Sequence, residues 1–362
     1  MSTTPSRSDA TATPEDADAD HPSRRSVLGG GAAAFLGWDM LQGDVGPLAS
    51  PVAAQVAPPP DGIVVTLLGT GAPGPSPTRF GPATLVQAGE LALLFDAGRG
   101  CTIRLAQLGV GLTVDGIFIT HYHSDHVLGL PDIWMTGYIG RRPPTLSSDM
   151  RKGRTGPIRL WGPVGAARMA QNLVAAFGDD VRIRMADEDV PEAATRIEAR
   201  EFTTDGVCFE ERGVTVTAFE VDHGPLIKPA YGYRVDYRGR SVLISGDTRF
   251  NENLIAHAAG VDLLVHDVCA IGDVWRDDPA AQAPTLHHAS PEDCGTIFAR
   301  VRPKLAAFTH LVLIGVTPAE VEERARKTYQ GAVVAGEDLM RFVVGDSVSL
   351  QKWDPRKPGY PG

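Results

Sequence analysis

The stretch "THYHSDHVLGLPD", Thr120 to Asp132, places three histidines and an aspartate within six positions: His121, His123, Asp125 and His126. It follows "DGIFIT", an apolar run that predicts a buried strand. In an extended segment, residues two apart point the same way, so His121 and His123 can face one ion. Asp125 and His126 come one turn later and point toward a second ion, about 3.5–4 Å from the first.

Two ions need more ligands than this cluster offers, and further candidates stand where other apolar runs end. They are His223 in "AFEVDHGP", Asp247 in "VLISGDT" and His310 in "LAAFTHL". Each one alone could be an ordinary polar residue at a strand end. Together they complete two coordination shells, with Asp247 able to bridge both ions. Imidazole and carboxylate donors without a thiolate suit zinc, with manganese or iron as alternatives.

The pattern of the remaining chain predicts an α/β fold. From Gly62 onward, short β-branched runs alternate with helical stretches, and "PVGAARMAQNLVAAFG" predicts a helix from Pro163 to Gly178. Hairpin turns are expected at Gly89-Glu90 and at Arg238-Gly239. Because each half of the chain carries its own strands and helices, we expect two sheets packed face to face with helices outside.

The motifs "THYHSDH", "VDHGP", "SGDT" and "FTH", in this order, resemble the metallo-β-lactamase fold superfamily from Ile63 to about Gly345. The resemblance implies an αββα sandwich of two mixed sheets with the metal site at their upper edges. It also implies which side chains serve each ion: His121, His123 and His223 the first, Asp125, His126 and His310 the second, with Asp247 between them. Asp125 is in addition a candidate catalytic carboxylate.

Finer motifs resemble the ribonuclease Z-like and arylsulfatase/cyclic phosphodiesterase branch of that superfamily. They are "LLGTGAPGPSPTRFGPATLV", "LLFDAGRGC", "AYGYRV" and "HHASPEDCGTIF". Asp247 stands where true β-lactamases of this fold carry cysteine, which argues against β-lactam cleavage. His123 stands where flavo-diiron proteins carry glutamate, which favours hydrolysis over oxygen chemistry.

The same resemblance assigns roles around the metal site. His288 would stabilise the transition state or protonate the leaving group, and Asp267 would steady it where ribonuclease Z has the longer glutamate. For the pair His287-His288 the alternative is a surface loop. Asp96 and Asp222 are candidates for carboxylates that orient ligand histidines.

Three observations argue against tRNA as the substrate. Ribonuclease Z carries a long Gly/Pro-rich arm after the segment that "YGYRVDY" resembles, and here only "RGR" separates this segment from "SVLISGDT". The formal net charge is −10, opposite to that of most proteins that grip a polyanion. The third observation is the predicted export signal at the N-terminus, because tRNA is processed inside the cell. The basic stretch Arg141–Arg159 is expected to be a solvated loop, with a flap that attracts anionic substrates as the alternative.

The N-terminus predicts export. Residues 1–54 combine a polar, acidic segment with "SRRSVLGGGAAAFLGW", Ser23 to Trp38, which resembles a twin-arginine signal with cleavage after Ala54. Its apolar run is too short to span a bilayer, so no stable membrane insertion is expected. A disordered tail with a chance arginine pair is the alternative. We expect residues 55–61 to form a linker, 62–350 the hydrolase domain and 351–362 a tail, and we expect a periplasmic or secreted location.

The expected function is hydrolysis of small phosphodiesters or sulfate esters outside the cytoplasm. Two ions would lower the pKa of a bridging water from about 15.7 to about 7, giving hydroxide at neutral pH. A lactone or thioester hydrolase is the alternative reaction, and a non-catalytic metal-binding scaffold is the alternative class. A small-molecule ester is the expected partner, and a homodimer stays open. The four cysteines are expected to be buried thiols, with one disulfide as the alternative.

Overall fold

A computed structural model describes residues 61–139, 153–354 and 356. The export signal, residues 55–60 of the linker, most of the tail and residues 140–152, which include much of the basic stretch, lie outside the described residues. Among the helices that are described, none combines the length and the apolar composition that crossing a bilayer requires.

The first sheet has eight strands in the order β15-β14-β1-β2-β3-β4-β5-β6. Their bounds are β1 Ile63–Gly69, β2 Ala83–Ala88, β3 Leu91–Phe95, β4 Gly116–Phe118, β5 Ile158–Pro163, β6 Ile197–Phe202, β14 Arg341–Val344 and β15 Val348–Gln351. Strands β15 to β3 pair antiparallel, and β3 to β6 pair parallel. The sheet is therefore mixed.

The second sheet has seven strands in the order β13-β12-β11-β10-β9-β8-β7. Their bounds are β7 Gly206–Glu211, β8 Val214–Glu220, β9 Tyr231–Tyr237, β10 Arg240–Ile244, β11 Leu263–Ile271, β12 Leu305–Ile314 and β13 Val333–Ala335. Strands β7 to β10 pair antiparallel and β10 to β13 pair parallel. The expected turn at Arg238-Gly239 joins β9 to β10, with φ angles of 46° and 76°.

The described helices are α1 Cys101–Gln107, α2 Ser124–Val127, α3 Leu130–Tyr138, α4 Ala166–Ala176, α5 Gly178–Asp187, α6 Glu252–His257, α7 Pro279–Gln282, α8 Pro291–Val301 and α9 Pro318–Ala325. Apolar residues of α1, α3 and α4 pack on the outer face of the first sheet. Those of α6, α8 and α9 pack on the outer face of the second. The predicted αββα sandwich is therefore confirmed.

Alternation along the strands builds the core between the sheets. In β3, Leu93 and Phe95 face the second sheet, while Leu94 faces the helices. Phe95 stacks on Phe118 with ring centroids 4.9 Å apart, and the Tyr233 hydroxyl of the opposite sheet donates to the Ile119 carbonyl at 2.5 Å. These contacts fix the end of β4, from which the histidine cluster departs.

The helix predicted from Pro163 to Gly178 is wrong at both ends. Pro163 is the last residue of β5, and Gly165, with a φ of 118°, precedes α4. Gly178 does not end a helix but begins α5. The left-handed backbone at Gly165 is the physical reason for the late start, because such a residue cannot lie inside a right-handed helix.

All four cysteines are free thiols, so the disulfide alternative is wrong. Cys101, Cys269 and Cys294 are buried, and burial raises the pKa of the Cys101 thiol to about 12. A thiol with so high a pKa stays protonated at neutral pH and is a poor metal ligand.

Candidate metal centre

The histidine cluster is anchored by a carboxylate on the neighbouring strand. Asp96 follows β3 with a φ of 58°, and its Oδ1 accepts a hydrogen bond from the Thr120 main-chain nitrogen at 2.8 Å. The Thr120 hydroxyl donates to Asp96 Oδ2 at 2.9 Å. The chain then turns at His123 into α2, whose first turn carries Asp125 and His126. The loop therefore leaves the sheet edge in one fixed direction.

Asp247 brings the distant ligand candidates to this loop. Its Oδ2 lies 3.2–3.7 Å from an imidazole nitrogen of each of four histidines: His121, His126, His223 and His310. The preceding Gly246, with a φ of 63°, turns the chain at the end of β10 toward the cluster. One carboxylate oxygen thus faces both halves of the expected ligand set.

The seven predicted ligands form two groups in which the donor atoms lie within 4.8 Å of one another. The first group is His121, His123, His223 and Asp247, and the second is Asp125, His126 and His310. In the first, His123 Nδ1 lies 3.0 Å from His121 Nε2 and 3.2 Å from His223 Nε2. Donors around a tetrahedral zinc ion stand about 3.3 Å apart, because each lies about 2.0–2.1 Å from the metal. The spacing fits a divalent ion.

Each of two ligand histidines has one ring nitrogen bonded to a neighbouring residue, so that its other ring nitrogen faces the candidate metal centre. His126 Nδ1 lies 2.8 Å from Asp96 Oδ2, and His223 Nδ1 lies 2.8 Å from the main-chain oxygen of His287. His126 Nε2 is buried and lies 3.2 Å from Asp247 Oδ2, but it makes no hydrogen bond of good geometry within the described residues. A buried polar atom is normally satisfied, so this nitrogen points to a missing ligand such as a cation.

A β-bulge carries His310 into the site. His266 of β11 pairs with Phe308 of β12, but Val268 pairs with Leu311, so two residues of β12 oppose the single Asp267. His310 is one of those two and has a φ of 43°. Bulges of this kind redirect a side chain. Here the redirected imidazole comes within 3.1 Å of Asp125 Oδ2.

The charge states favour cation binding. Burial alone would raise the pKa of Asp247, but the charges of His126 and His310 hold it well below its usual value. Burial lowers the pKa of His121 well below its usual value, so that ring is neutral. Burial would also lower the pKa of His126, but Asp247 and Asp96 raise it well above its usual value. The anionic Asp247 carboxylate and the neutral His121 ring are therefore in the protonation states that ligate a cation.

His288 stands beside this centre and is paired as expected. Its Nδ1 lies 2.8 Å from Asp267 Oδ2, so the shorter carboxylate reaches the ring. The ring stacks on His310 with centroids 5.2 Å apart, and His288 forms a third close group with Asp247 and His310. Burial would lower the pKa of His288, but the bond to Asp267 and the charge of Asp247 raise it above its usual value.

The expectation that Asp222 orients a ligand imidazole is wrong. Asp222 contacts no ligand ring: its oxygens accept from the Gly224 main-chain nitrogen at 3.0 Å and from the Arg249 guanidinium. It therefore shapes the turn that carries His223 rather than orienting the imidazole. The partner of that imidazole, the main-chain oxygen of His287, leaves no signal in the sequence pattern.

The described part of the basic stretch serves the fold. Arg154 donates to the main-chain oxygens of Gly156, Trp134 and Ala194. Arg159 pairs with Glu211 at 2.7 Å. These two guanidinium groups are occupied, and the other basic residues of the stretch lie outside the described residues.

Comparisons with known proteins agree with this architecture. A family model described as beta-lactamase superfamily domain matches residues 92–311. A protein named ribonuclease Z from Mycobacterium marinum is 33% identical over 287 residues, 78% of this chain and 99% of that protein. The metallo-beta-lactamase fold protein YhfI from Bacillus subtilis covers 78% of this chain and 100% of its own, with a TM-score of 0.61 and 18% identity. Zn²⁺-bound PqqB from Methylobacterium extorquens covers 77% and 99%, with a TM-score of 0.51 and 18% identity.

Proposed function

Since the chain belongs to the metallo-β-lactamase fold superfamily, in its ribonuclease Z-like branch, we propose that this metal-dependent hydrolase cleaves small phosphodiesters. The observation that carries the phosphodiester assignment is the pair His288–Asp267 beside the ligand cluster. A phosphodiester with an alkoxide leaving group needs a proton donor at this point, whereas an activated lactone or thioester does not.

Two divalent ions would be held by the seven clustered side chains, with Asp247 between them. Zinc is the proposed metal, because the donor set is rich in imidazole and lacks thiolate. The zinc-bound relative PqqB supports this choice. Such ions, when bound, polarise ester oxygens and lower the pKa of coordinated water to about 7.

The chain's own residues supply orientation and the proton. His123 is the exposed member of the ligand set, so substrate reaches the centre past it. Burial would lower the pKa of His288, but the hydrogen bond to Asp267 and the charge of Asp247 raise it, which favours the protonated ring that can donate to the leaving oxygen. As the oxygen of a hydroxide ion bonds to phosphorus, the bond from phosphorus to the leaving oxygen breaks, and that oxygen takes the proton from His288.

RNA is the competing phosphodiester substrate, because the mycobacterial relative is named ribonuclease Z. The short turn at Arg238-Gly239, where a long arm was expected in ribonuclease Z, does not distinguish this chain from that relative. Their alignment of 287 residues covers 78% of this chain and 99% of the relative, which leaves no room for a long additional arm in the relative. The net charge of −10 and the expected export signal are the remaining support for a small substrate.

The test is a substrate panel with the purified, metal-loaded protein: bis(p-nitrophenyl) phosphate, an alkyl phosphodiester, an aryl sulfate, a lactone, a thioester and a precursor tRNA. We expect phosphodiester turnover, a loss of about 10²–10⁴-fold in His288→Ala on the alkyl substrate, and a smaller loss on the p-nitrophenyl substrate. His257→Ala is the control, because His257 contacts Asn253 and Phe219 on α6 and β8.

Two results would contradict the assignment. Unchanged turnover of both phosphodiesters in His288→Ala would remove the residue on which it depends. Turnover of the lactone or thioester alone would favour the carboxyl-ester alternative, and turnover of precursor tRNA alone would show that the substrate is not small. Two bound metal ions without activity on any substrate would favour a binding scaffold.

Export is part of the same proposal and is supported by the sequence alone. The twin arginines Arg24-Arg25 before a short apolar run favour a pathway that carries folded proteins. A metal centre could then be loaded before the protein leaves the cytoplasm.

A further inference from the structure

His266 of β11 is a buried histidine that the proposed reaction does not use. Its side chain is fully buried and packs against Phe298 of α8, with ring centroids 6.1 Å apart. Its Nε2 is buried without a hydrogen-bond partner in the described part of the chain. An unsatisfied buried nitrogen costs stability, so an apolar residue would suit this position better unless the other ring nitrogen has a task.

The other nitrogen holds Asp267. His266 Nδ1 donates to the main-chain oxygen of Asp267 at 2.8 Å and lies 3.1 Å from its Oδ1. Cys294 Sγ approaches the same main-chain oxygen at 3.6 Å. The main-chain oxygen of Asp267 is therefore held by His266 and Cys294 on the side of the sheet that faces α8.

The carboxylate of Asp267 has few other donors on this side. Its Oδ2 lies 2.8 Å from His288 Nδ1 and also accepts a hydrogen bond from the Thr248 main-chain nitrogen at 3.3 Å. Its Oδ1 lies 3.4 Å from Ser245 Oγ, but the single proton of that hydroxyl has a nearer acceptor in the Gly246 main-chain oxygen at 2.5 Å. The Nδ1 proton of His266 goes to the Asp267 main-chain oxygen at 2.8 Å, with Oδ1 at 3.1 Å, so His266 holds residue 267 mainly through its main chain.

The bulge explains why Asp267 needs side-chain contacts to fix its position. Asp267 lies opposite Thr309 and His310, where the pairing register of β11 and β12 shifts. The regular ladder that fixes a strand residue is interrupted at this position. The Asp267 main-chain nitrogen bonds instead to Ser245 Oγ at 3.1 Å. His266 supplies the contact that the ladder lacks.

We propose that His266 is a positioning residue of the reaction, acting through Asp267 to fix the orientation of His288. This inference rests on the proposed function, in which His288 gives its proton to the leaving group. The chain His266–Asp267–His288 then links the outer face of the second sheet to the reacting oxygen. A loosened Asp267 would let the His288 ring rotate away from that oxygen.

Two substitutions of His266 separate positioning from packing. His266→Asn places an amide nitrogen near the position of Nδ1, whereas His266→Gln places it near the position of Nε2. In the metal-loaded holoenzyme, we expect the Asn variant to keep wild-type kcat. The Gln variant should lose about 10–100-fold in kcat on an alkyl phosphodiester, less on bis(p-nitrophenyl) phosphate, with KM changed less than about twofold. A merely structural defect would lower turnover of both substrates equally.

A second measurement needs no substrate. In ¹H–¹⁵N spectra of the metal-loaded protein, the hydrogen-bonded Nδ1 proton of His288 should be protected and shifted downfield in the wild type and the Asn variant, and absent in the Gln variant. Equal behaviour of the two variants in both measurements would overturn the proposal. If the Gln variant does not fold, loss of the resonance in the Asn variant overturns it and retention supports it. If the wild type cleaves no phosphodiester, the proposed function fails, while the resonance still decides whether His266 positions His288.

Discussion

At the scale of single residues, Asp96 shows how one carboxylate supports the centre twice. It fixes the loop through the Thr120 main-chain nitrogen at 2.8 Å and the ring of His126 through Nδ1 at 2.8 Å. Outer partners of this kind set the tautomer of a ligand imidazole and raise its basicity. Asp96 therefore supports the candidate metal centre although it is not one of the seven ligand candidates.

Asp96→Asn should lower metal affinity about 10–100-fold, because an amide cannot accept from His126 as a carboxylate does. The measurement is the metal retained after dialysis against a graded chelator series. Asp222→Asn is the matched control, since Asp222 engages Arg249 and Gly224 instead of a ring. Equal losses in the two variants would contradict the assigned role of Asp96.

The pH dependence of the reaction should report the pair His288–Asp267. Burial alone would lower the pKa of His288, but the bond to Asp267 raises it, so the protonated ring persists above its usual range. Activity that needs this proton falls as pH rises through the raised pKa. In Asp267→Asn the raising charge is gone, so the alkaline limb of the kcat profile should move to lower pH. An unmoved limb would mean that His288 does not titrate in the reaction.

The sequence could predict the ligand candidates because their types and their places after apolar runs are visible in it. It could not predict the supporting contacts of Thr120, His287 and His266. Every residue has a main-chain oxygen, so the sequence does not show that the one of His287 contacts a ligand histidine. His266 lies in an apolar run that predicts an ordinary buried strand. Asp222 was a misassignment of the same origin, since adjacency to His223 in the chain does not fix where a carboxylate points.

At the scale of elements, irregular backbone delivers the ligands. Gly246, with a φ of 63°, precedes Asp247, and a bulge in β12 carries His310. The sequence predicts that β10 ends before Asp247, but the expectation that His310 stands at a strand end is wrong, because β12 continues to Ile314 and His310 lies in a bulge within it. The sequence also predicts that the helix stops at Gly178, whereas α5 begins at that glycine and was not predicted.

Gly246→Ala should destabilise the fold and displace Asp247. A Cβ there would lie 2.6 Å from the Tyr231 main-chain oxygen, in addition to the strain of a positive φ. Gly239→Ala is the control, because Gly239 has a φ of 76° but open space around a Cβ. We expect about 1–2 kcal/mol of lost stability in the control and a further 1–3 kcal/mol or so in Gly246→Ala. The free energy of unfolding and the bound metal content of the two variants measure the difference. Equal values in both variants would contradict the role assigned to Gly246.

At the scale of the whole molecule, two sheets enclose one core and carry the centre at their edge. The sequence predicted this sandwich because buried strands read as apolar runs. It did not predict β6 and β7, whose segments "IEAREF" and "GVCFEE" are largely exposed edge strands. Edge strands are paired on one side only, so their composition carries little of the apolar signal.

Export is a prediction for the intact chain. Replacing Arg24 and Arg25 by lysine together should keep the protein in the cytoplasm, because a twin-arginine signal is read by a receptor and not by charge alone. Fractionation and the size of the processed chain measure this, with cleavage expected after Ala54. Unchanged export of the double variant would contradict the twin-arginine assignment and favour another route.

The most direct test of the central claim is the metal content of the purified protein, measured together with that of Asp247→Ala. The account predicts two divalent ions per chain, because seven donors form two groups that share the Asp247 carboxylate. It also predicts that Asp247→Ala retains fewer ions and loses activity. A wild type with less than one ion per chain, or an Asp247→Ala variant with the same content, would contradict it.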